Sequence, residues 1–104
     1  GTLTGARTVT QGGNTLAFEG GDLTVSGTTF VVDASQAAVS IGASAPASDA
    51  VLDLTSTTKG FLFPRMSQAQ RVAMATVTTG IMVYQTDGRE GVYIYKSFGW
   101  VQVI

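Results

Sequence analysis

Four pairs of the form apolar-x-apolar, Leu16/Phe18, Leu23/Val25, Phe30/Val32 and Val39/Ile41, recur within the first 42 residues. Their first members stand 7, 7 and 9 positions apart, and Val9 occupies the place of an earlier member. Turn formers fill the gaps: Gly12-Gly13-Asn14, Gly20-Gly21-Asp22, Ser26-Gly27 and Asp33-Ala34-Ser35. Alternation at period two with β-branched residues predicts strands of about four or five residues, and each glycine cluster predicts a turn. Rungs so short at a near-regular interval point to a solenoid or a strand array. A lone array leaves open edges that invite aggregation. Threefold intertwining removes them, because each chain then gives one strand per layer and turns its apolar pair to a shared axis. An ordinary small antiparallel sandwich is the alternative.

Composition sharpens the choice. Residues 1–56 contain 23 Gly, Ser or Thr, and most of their apolar residues are single Val, Leu or Ile. A chain of this length buries only about 60% of its unfolded surface even when well packed. The first half is therefore expected to bury its apolar face against other copies of itself. Charge is sparse, 12% of residues, and shifts from −4 over residues 1–56 to +3 over residues 57–104. A total of −1 offers no polycationic surface, which argues against nucleic-acid binding. The simplest reading of these charges is a solvated surface, although oppositely biased halves can also orient an assembly. The chain has neither Cys nor His, which removes thiolate chemistry, disulfides, imidazole bases and the usual zinc sites. No apolar run reaches 18 residues and no signal peptide is visible, so no membrane insertion is expected. With Gly1 rather than Met at its start, the chain is expected to be a fragment of a longer protein.

The second half is built differently. Ala43-Ser44-Ala45-Pro46-Ala47-Ser48 is a small-residue linker, and Val51-Leu52-Asp53-Leu54 reads as a short strand. Ser67 followed by Gln70 has the spacing of a capping box, which places one helix over residues 68–75. About two turns cannot stand alone in water, so this helix must dock. Ile81–Gln85 and Val92–Lys96 flank Asp87-Gly88-Arg89-Glu90-Gly91, a hairpin signal, and Trp100–Ile104 follows as a third strand. The fold class expected is mainly β: a homotrimeric intertwined β-strand shaft, then a small tip of one short helix and a three-stranded antiparallel sheet. Residues 1–50 form the shaft, 51–75 a seam with the helix, and 76–104 the aromatic hairpin tip.

The seam carries a resemblance. Leu52-Asp53-Leu54-Thr55-Ser56-Thr57-Thr58-Lys59-Gly60-Phe61-Leu62-Phe63-Pro64-Arg65-Met66, followed by Ser67-Gln68-Ala69-Gln70-Arg71, resembles a segment recurrent in phage tail-fibre proteins and related bacterial surface proteins. Gly80–Asp87, Tyr93-Ile94-Tyr95 and Gly99-Trp100-Val101 are similar to that family's ending. Upstream, Thr4–Thr10, Asn14–Phe18 and Val39–Gly42 resemble its shaft repeats and junction. Phe63 departs from the pattern by standing where the family usually has a first Pro. The resemblance implies a homotrimeric fibre segment at or near a C-terminal tip. Its task would be attachment of a phage or phage-like particle to a cell surface, with a host glycan or protein as partner. A stalk module of a bacterial surface or extracellular fibre is the alternative, and a polysaccharide-cleaving tip a lesser one.

Two residue groups carry that reading. Leu16, Phe18, Leu23, Val25, Phe30, Val32, Val39 and Ile41, with Phe61, Phe63 and Met66 of the seam, are the candidate trimer interface. Tyr84, Tyr93, Tyr95 and Trp100 are candidate receptor contacts, since aromatic faces stack on sugars; filling the tip's own core or the trimer interface is their simpler role. Arg65 and Arg71 are expected to pair with carboxylates or carbonyls of a neighbouring chain. A glycosidase needs two converging carboxylates, and Asp49, Asp53, Asp87 and Glu90 sit in a linker, a strand and a turn. Asp33 and Asp53 lack the ligand cluster that calcium requires. No enzyme activity, cofactor or metal is expected.

Overall fold

The computed structural model describes residues 1–2 and 4–104. They form two compact units, Gly1–Thr58 and Lys59–Ile104. The architecture is mainly β, with two four-stranded sheets and one short helix.

In the first unit, β1 (Leu23–Val25), β2 (Phe30–Asp33) and β3 (Ala38–Ile41) form an antiparallel meander, and β4 (Leu52–Leu54) pairs parallel to β3. The four-residue β1–β2 turn places Ser26 and Gly27 at φ 50° and 64°, in the left-handed region that glycine adopts without strain. At the next turn the Asp33 carboxylate accepts from Ser35 Oγ at 2.7 Å, Gln36 N at 3.1 Å and Gln36 Nε2 at 3.2 Å. Asp22 adds a longer tie, its Oδ1 accepting from Ala34 N at 2.9 Å. A parallel neighbour demands a crossover. Gly42, at φ 93°, starts it, and a Cβ there would run into the Thr55 carbonyl.

That crossover decides which face of the sheet is covered. Val31, Ser40 and Asp53 share one face by register. Ser40 Oγ donates to Ala43 O at 2.9 Å, and Asp53 Oδ2 accepts from Ala47 N at 2.8 Å. The loop is thus tied to this face, with Pro46 buried in it. On the other face Leu23, Val32, Val39 and Leu52 form a row across all four strands, and the pairs Val25–Phe30 and Ile41–Leu54 continue it. These eight side chains are all apolar, and each is half-buried or exposed.

Residues 4–22 form no strand within the chain. A turn at Gly12 and Gly13, closed by Asn14 N to Gln11 O at 3.1 Å, is the only local structure of the Val9 and Leu16/Phe18 region. Phe18 is 62% exposed. The rungs expected there lack a neighbour in this chain, and an unpaired strand leaves its backbone groups to water.

In the second unit, β5 (Arg65–Met66), β6 (Met82–Gln85), β7 (Gly91–Lys96) and β8 (Gly99–Val103) form a sheet in sequence order. It has four strands rather than the three antiparallel ones expected. The extra strand comes from the seam, where Pro64 O accepts from Tyr84 N and Met66 O from Thr86 N, both at 2.9 Å, so β5 lies parallel to β6. The helix α1 (Gln68–Val72) starts at the capping box: Ser67 Oγ accepts from Gln70 N at 3.2 Å, and Ser67 N donates to Gln70 Oε1 at 2.8 Å. It stops at Val72 instead of reaching residue 75, because Ala73 already caps it and β-branched Thr76 and Val77 follow.

Candidate interaction surfaces

Alternation divides the second sheet as cleanly as the first. Val83, Gln85, Tyr93, Tyr95, Trp100 and Gln102 point to the side that carries α1. Met82, Tyr84, Val92, Ile94, Val101 and Val103 point to the other, and all six are half-buried or exposed. The second unit therefore has a filled side and an open apolar side.

The filled side is centred on a cation. Arg71 is only 7% exposed, and its guanidinium carbon lies 4.2 Å from the Tyr93 ring centroid and 5.4 Å from that of Trp100. Arg71 Nε donates to Gln85 Oε1 at 2.7 Å. Gln85, fully buried, donates through Nε2 to Asp87 O at 2.8 Å and to Arg89 O at 3.4 Å. Asp87 in turn accepts from Gln68 N at 2.7 Å, which fixes the helix start to the β6–β7 turn. Arg71 thus meets aromatic faces and a neutral amide, where the sequence expectation was a carboxylate or carbonyl of a neighbour. Arg65, six residues earlier, is exposed.

The candidate receptor residues fall into three settings. Tyr93 is buried beneath the guanidinium, with its hydroxyl donating to Arg89 O at 2.7 Å. Tyr95 and Trp100 form a tilted pair, centroids 5.3 Å apart at 52°, and both are half-buried. Tyr84 lies on the open side and donates to Glu90 Oε1 at 2.8 Å. That bond to Glu90, followed by desolvation and the nearby charge, holds its hydroxyl above the ordinary value of 10.0.

The candidate interface residues of β1–β3 lie together on the open face of the first sheet, whereas Leu16 and Phe18 stand outside any strand. Phe61 and Phe63 pack as a tilted pair 4.9 Å apart, and Phe61 and Leu62 are 61% and 65% exposed. Leu62, Phe63, Pro64, Arg65 and Thr86 line an open groove of about 520 Å³ along β5. Met66 is half-buried and shares its register position with Gln85. Sequence reasoning passed over Leu52 and Leu54 as members of the open face. Their i, i+2 spacing is that of the four earlier pairs and could have found them.

The carboxylates have structural tasks. Asp53 holds the crossover and accepts from Thr55 Oγ1 at 3.3 Å, Asp33 and Asp87 hold turns, and Glu90 holds Tyr84. Among the described residues no group of His, Cys, Asp or Glu is placed to hold a metal ion, and no helix is long and apolar enough to cross a membrane.

No curated protein and no solved structure matches the chain. A family profile does: that of the phage tail-like trimerisation region matches residues 40–104, from the middle of β3 to the last residue. Because this match covers more than half of its length, the chain belongs to the phage tail-like trimerisation region family.

Proposed function

We propose that the chain is a structural, non-enzymatic segment of a homotrimeric fibre, in which neighbouring copies cover the open face of each sheet. The observation that carries this is the first sheet, where eight apolar side chains occupy one face and none is buried. A face of that kind is unusual on a monomer and ordinary at an interface between subunits. Membership in a trimerisation family supports a number of three. Val9, Leu16 and Phe18 find strand partners on the edges that neighbouring copies offer, which makes the shaft intertwined. Phe61, Leu62 and Phe63 close the seam against a second copy. The assembly displays its C-terminal unit on a phage tail or phage-like particle outside the cell, where that unit meets a host-surface glycan or protein.

Solution mass tests the reading directly. Sedimentation equilibrium is expected to give about three times the chain mass of 10.7 kDa at micromolar concentration. A monomer there would overturn the proposal. Replacing Phe61 and Phe63 together with Ser is expected to shift the equilibrium towards monomer, and an unchanged trimer would remove the seam from the interface.

A further inference from the structure

The guanidinium of Arg71 is nearly buried, yet it has only one hydrogen-bond partner among the described residues. An arginine always carries its charge and presents five N–H donors. Nε uses one of them, on the neutral Gln85 amide. The four Nη hydrogens meet no acceptor among the described residues, and Arg71 takes part in no ion pair there. No buried side-chain nitrogen or oxygen in the described structure lacks a partner, so the Nη end reaches solvent. Burial of a charge without a counter-charge is expensive. Here Tyr93 and Trp100 offset part of that cost through their ring faces.

An anion of suitable shape complements this arrangement. A guanidinium whose Nη pair faces outward presents the fork that a carboxylate fills with two parallel hydrogen bonds. The Trp100 and Tyr95 rings beside it are half-buried and set at 52°, giving an apolar wall next to the charge. Residues 57–104 carry a net charge of +3, which favours an anionic ligand further. A carboxylate attached to a ring with an apolar C–H face satisfies both features at once.

We infer that Arg71, with Trp100 and Tyr95, forms a binding site for the carboxylate of an acidic sugar of the hexuronate class. Arg71 holds the carboxylate, the Trp100 face takes the sugar ring, and Gln85 and Tyr93 keep the guanidinium in place. The choice of a sugar rests on the attachment reading above; the outward guanidinium fork does not.

Trp100 is the chain's one tryptophan and reports on the site directly. The full chain is titrated with sodium glucuronate and, separately, with neutral methyl glucoside at matched ionic strength, while Trp100 fluorescence and the Arg71 Nε–H resonance are followed. Glucuronate is expected to produce saturable changes in both, with a dissociation constant on the order of millimolar. Methyl glucoside is expected to produce neither. Arg71→Lys keeps the charge but loses the fork, so it should weaken binding at least about tenfold. Near-UV circular dichroism establishes that this variant is folded. The wild-type resonance arm stands whatever the variant does. No saturable response, an equal response to the neutral sugar, or full binding by a folded Arg71→Lys protein each overturns the site. So does an Arg71 resonance that changes with protein dilution but not with glucuronate, since a neighbour's carboxylate then fills the fork. Sedimentation of the same samples reads the trimer independently, so this site can fail while the assembly stands.

Discussion

Ile41→Asp puts one charge on the open face of the first sheet and separates a monomer surface from an assembled one. Ile41 is 42% exposed in the single chain, so a carboxylate there stays in contact with water. The cost to the monomer is about 1 kcal/mol, as for a partly exposed site outside the core. In the proposed trimer the same position is covered. The eight side chains of the face retain roughly a third to two-fifths of their surface, so covering them is worth roughly 0.5–1.2 kcal/mol each and about 4–10 kcal/mol per copy. Three copies then gain about 12–30 kcal/mol against about 8–30 kcal/mol for two association steps, which leaves a surplus of at most about 22 kcal/mol. Three buried carboxylates, each with a penalty of several kcal/mol, consume a surplus of that size. The variant is therefore expected to sediment as monomer at about 10 µM, where the wild type is trimeric. Thr24→Asp is the control: Thr24 is exposed on β1 but faces the other way, beside Val31, and should leave the trimer intact. A trimer that survives Ile41→Asp, or one lost equally in the control, refutes the assignment of this face.

Four further substitutions test the units one by one. Gly42→Ala forces an L-residue to φ 93° and drives its Cβ into the Thr55 carbonyl; a loss of at least about 2–3 kcal/mol is expected in thermal unfolding at fixed protein concentration, and a neutral result refutes the crossover geometry. Ser67→Ala removes the hydroxyl that caps α1 and should cost about 1 kcal/mol by denaturant unfolding, with Ser67→Asp retaining most of it. Gln85→Leu leaves Arg71 Nε and the Asp87 carbonyl without their buried partner, while the Arg89 carbonyl keeps the Tyr93 hydroxyl, so a loss of about 3–5 kcal/mol is expected. Asp33 concerns pH. Hydrogen bonds, first from the Ser35 hydroxyl and then from the Gln36 amide, hold its carboxyl below the ordinary 3.8. The unfolded chain thus takes up this proton at a higher pH than the folded one, so the stabilisation is complete above about pH 5 and is lost as pH falls through the folded value. Asp33→Asn should flatten that part of the acid limb of a stability curve, and an unchanged limb refutes the role of Asp33.

Local signals made some of this legible and left the rest out of reach. Leu23/Val25, Phe30/Val32 and Val39/Ile41 became three paired strands because each repeats the two-residue period and a turn former separates it from the next. Leu16/Phe18 shows the same pattern and pairs with no strand among the described residues, since periodicity reports a preference for strand and not a partner. The capping box set the start of α1 to the residue, whereas its end depended on how early Ala73 turns out of the helix. The short β5 could not be anticipated, because Arg65-Met66 has no alternation to read and becomes a strand only through the hydrogen bonds to β6. Arg71 and Gln85 were hidden for a related reason. Their burial is a property of the tertiary arrangement, and a helix of five residues offers no amphipathic stripe long enough to show which side faces in.

The distribution of polar and apolar residues between inside and outside argues for completion by other copies more strongly than any single contact does. The buried residues include Asp33, Ser40, Arg71 and Gln85 beside Val31, Ala38, Val83 and Tyr93. In an ordinary small domain charged and amide side chains are rarely buried, and the large aliphatic residues take those positions. In this chain the aliphatic residues stand outside instead, as Val25, Ile41, Leu52 and Leu54 do in the first unit and Val103 in the second. Each sheet spends its loop or helix on covering a polar interior and leaves its apolar side bare. A monomer gains almost nothing from that arrangement, because the hydrophobic contribution to stability comes from area removed from water. Neighbouring copies make it sensible: the polar interiors fix each sheet's twist and register through hydrogen bonds, and the apolar sides hold their free energy for assembly. Stability should therefore rise with protein concentration across the whole chain. A melting temperature independent of concentration over a hundredfold range would contradict that coupling of folding to assembly.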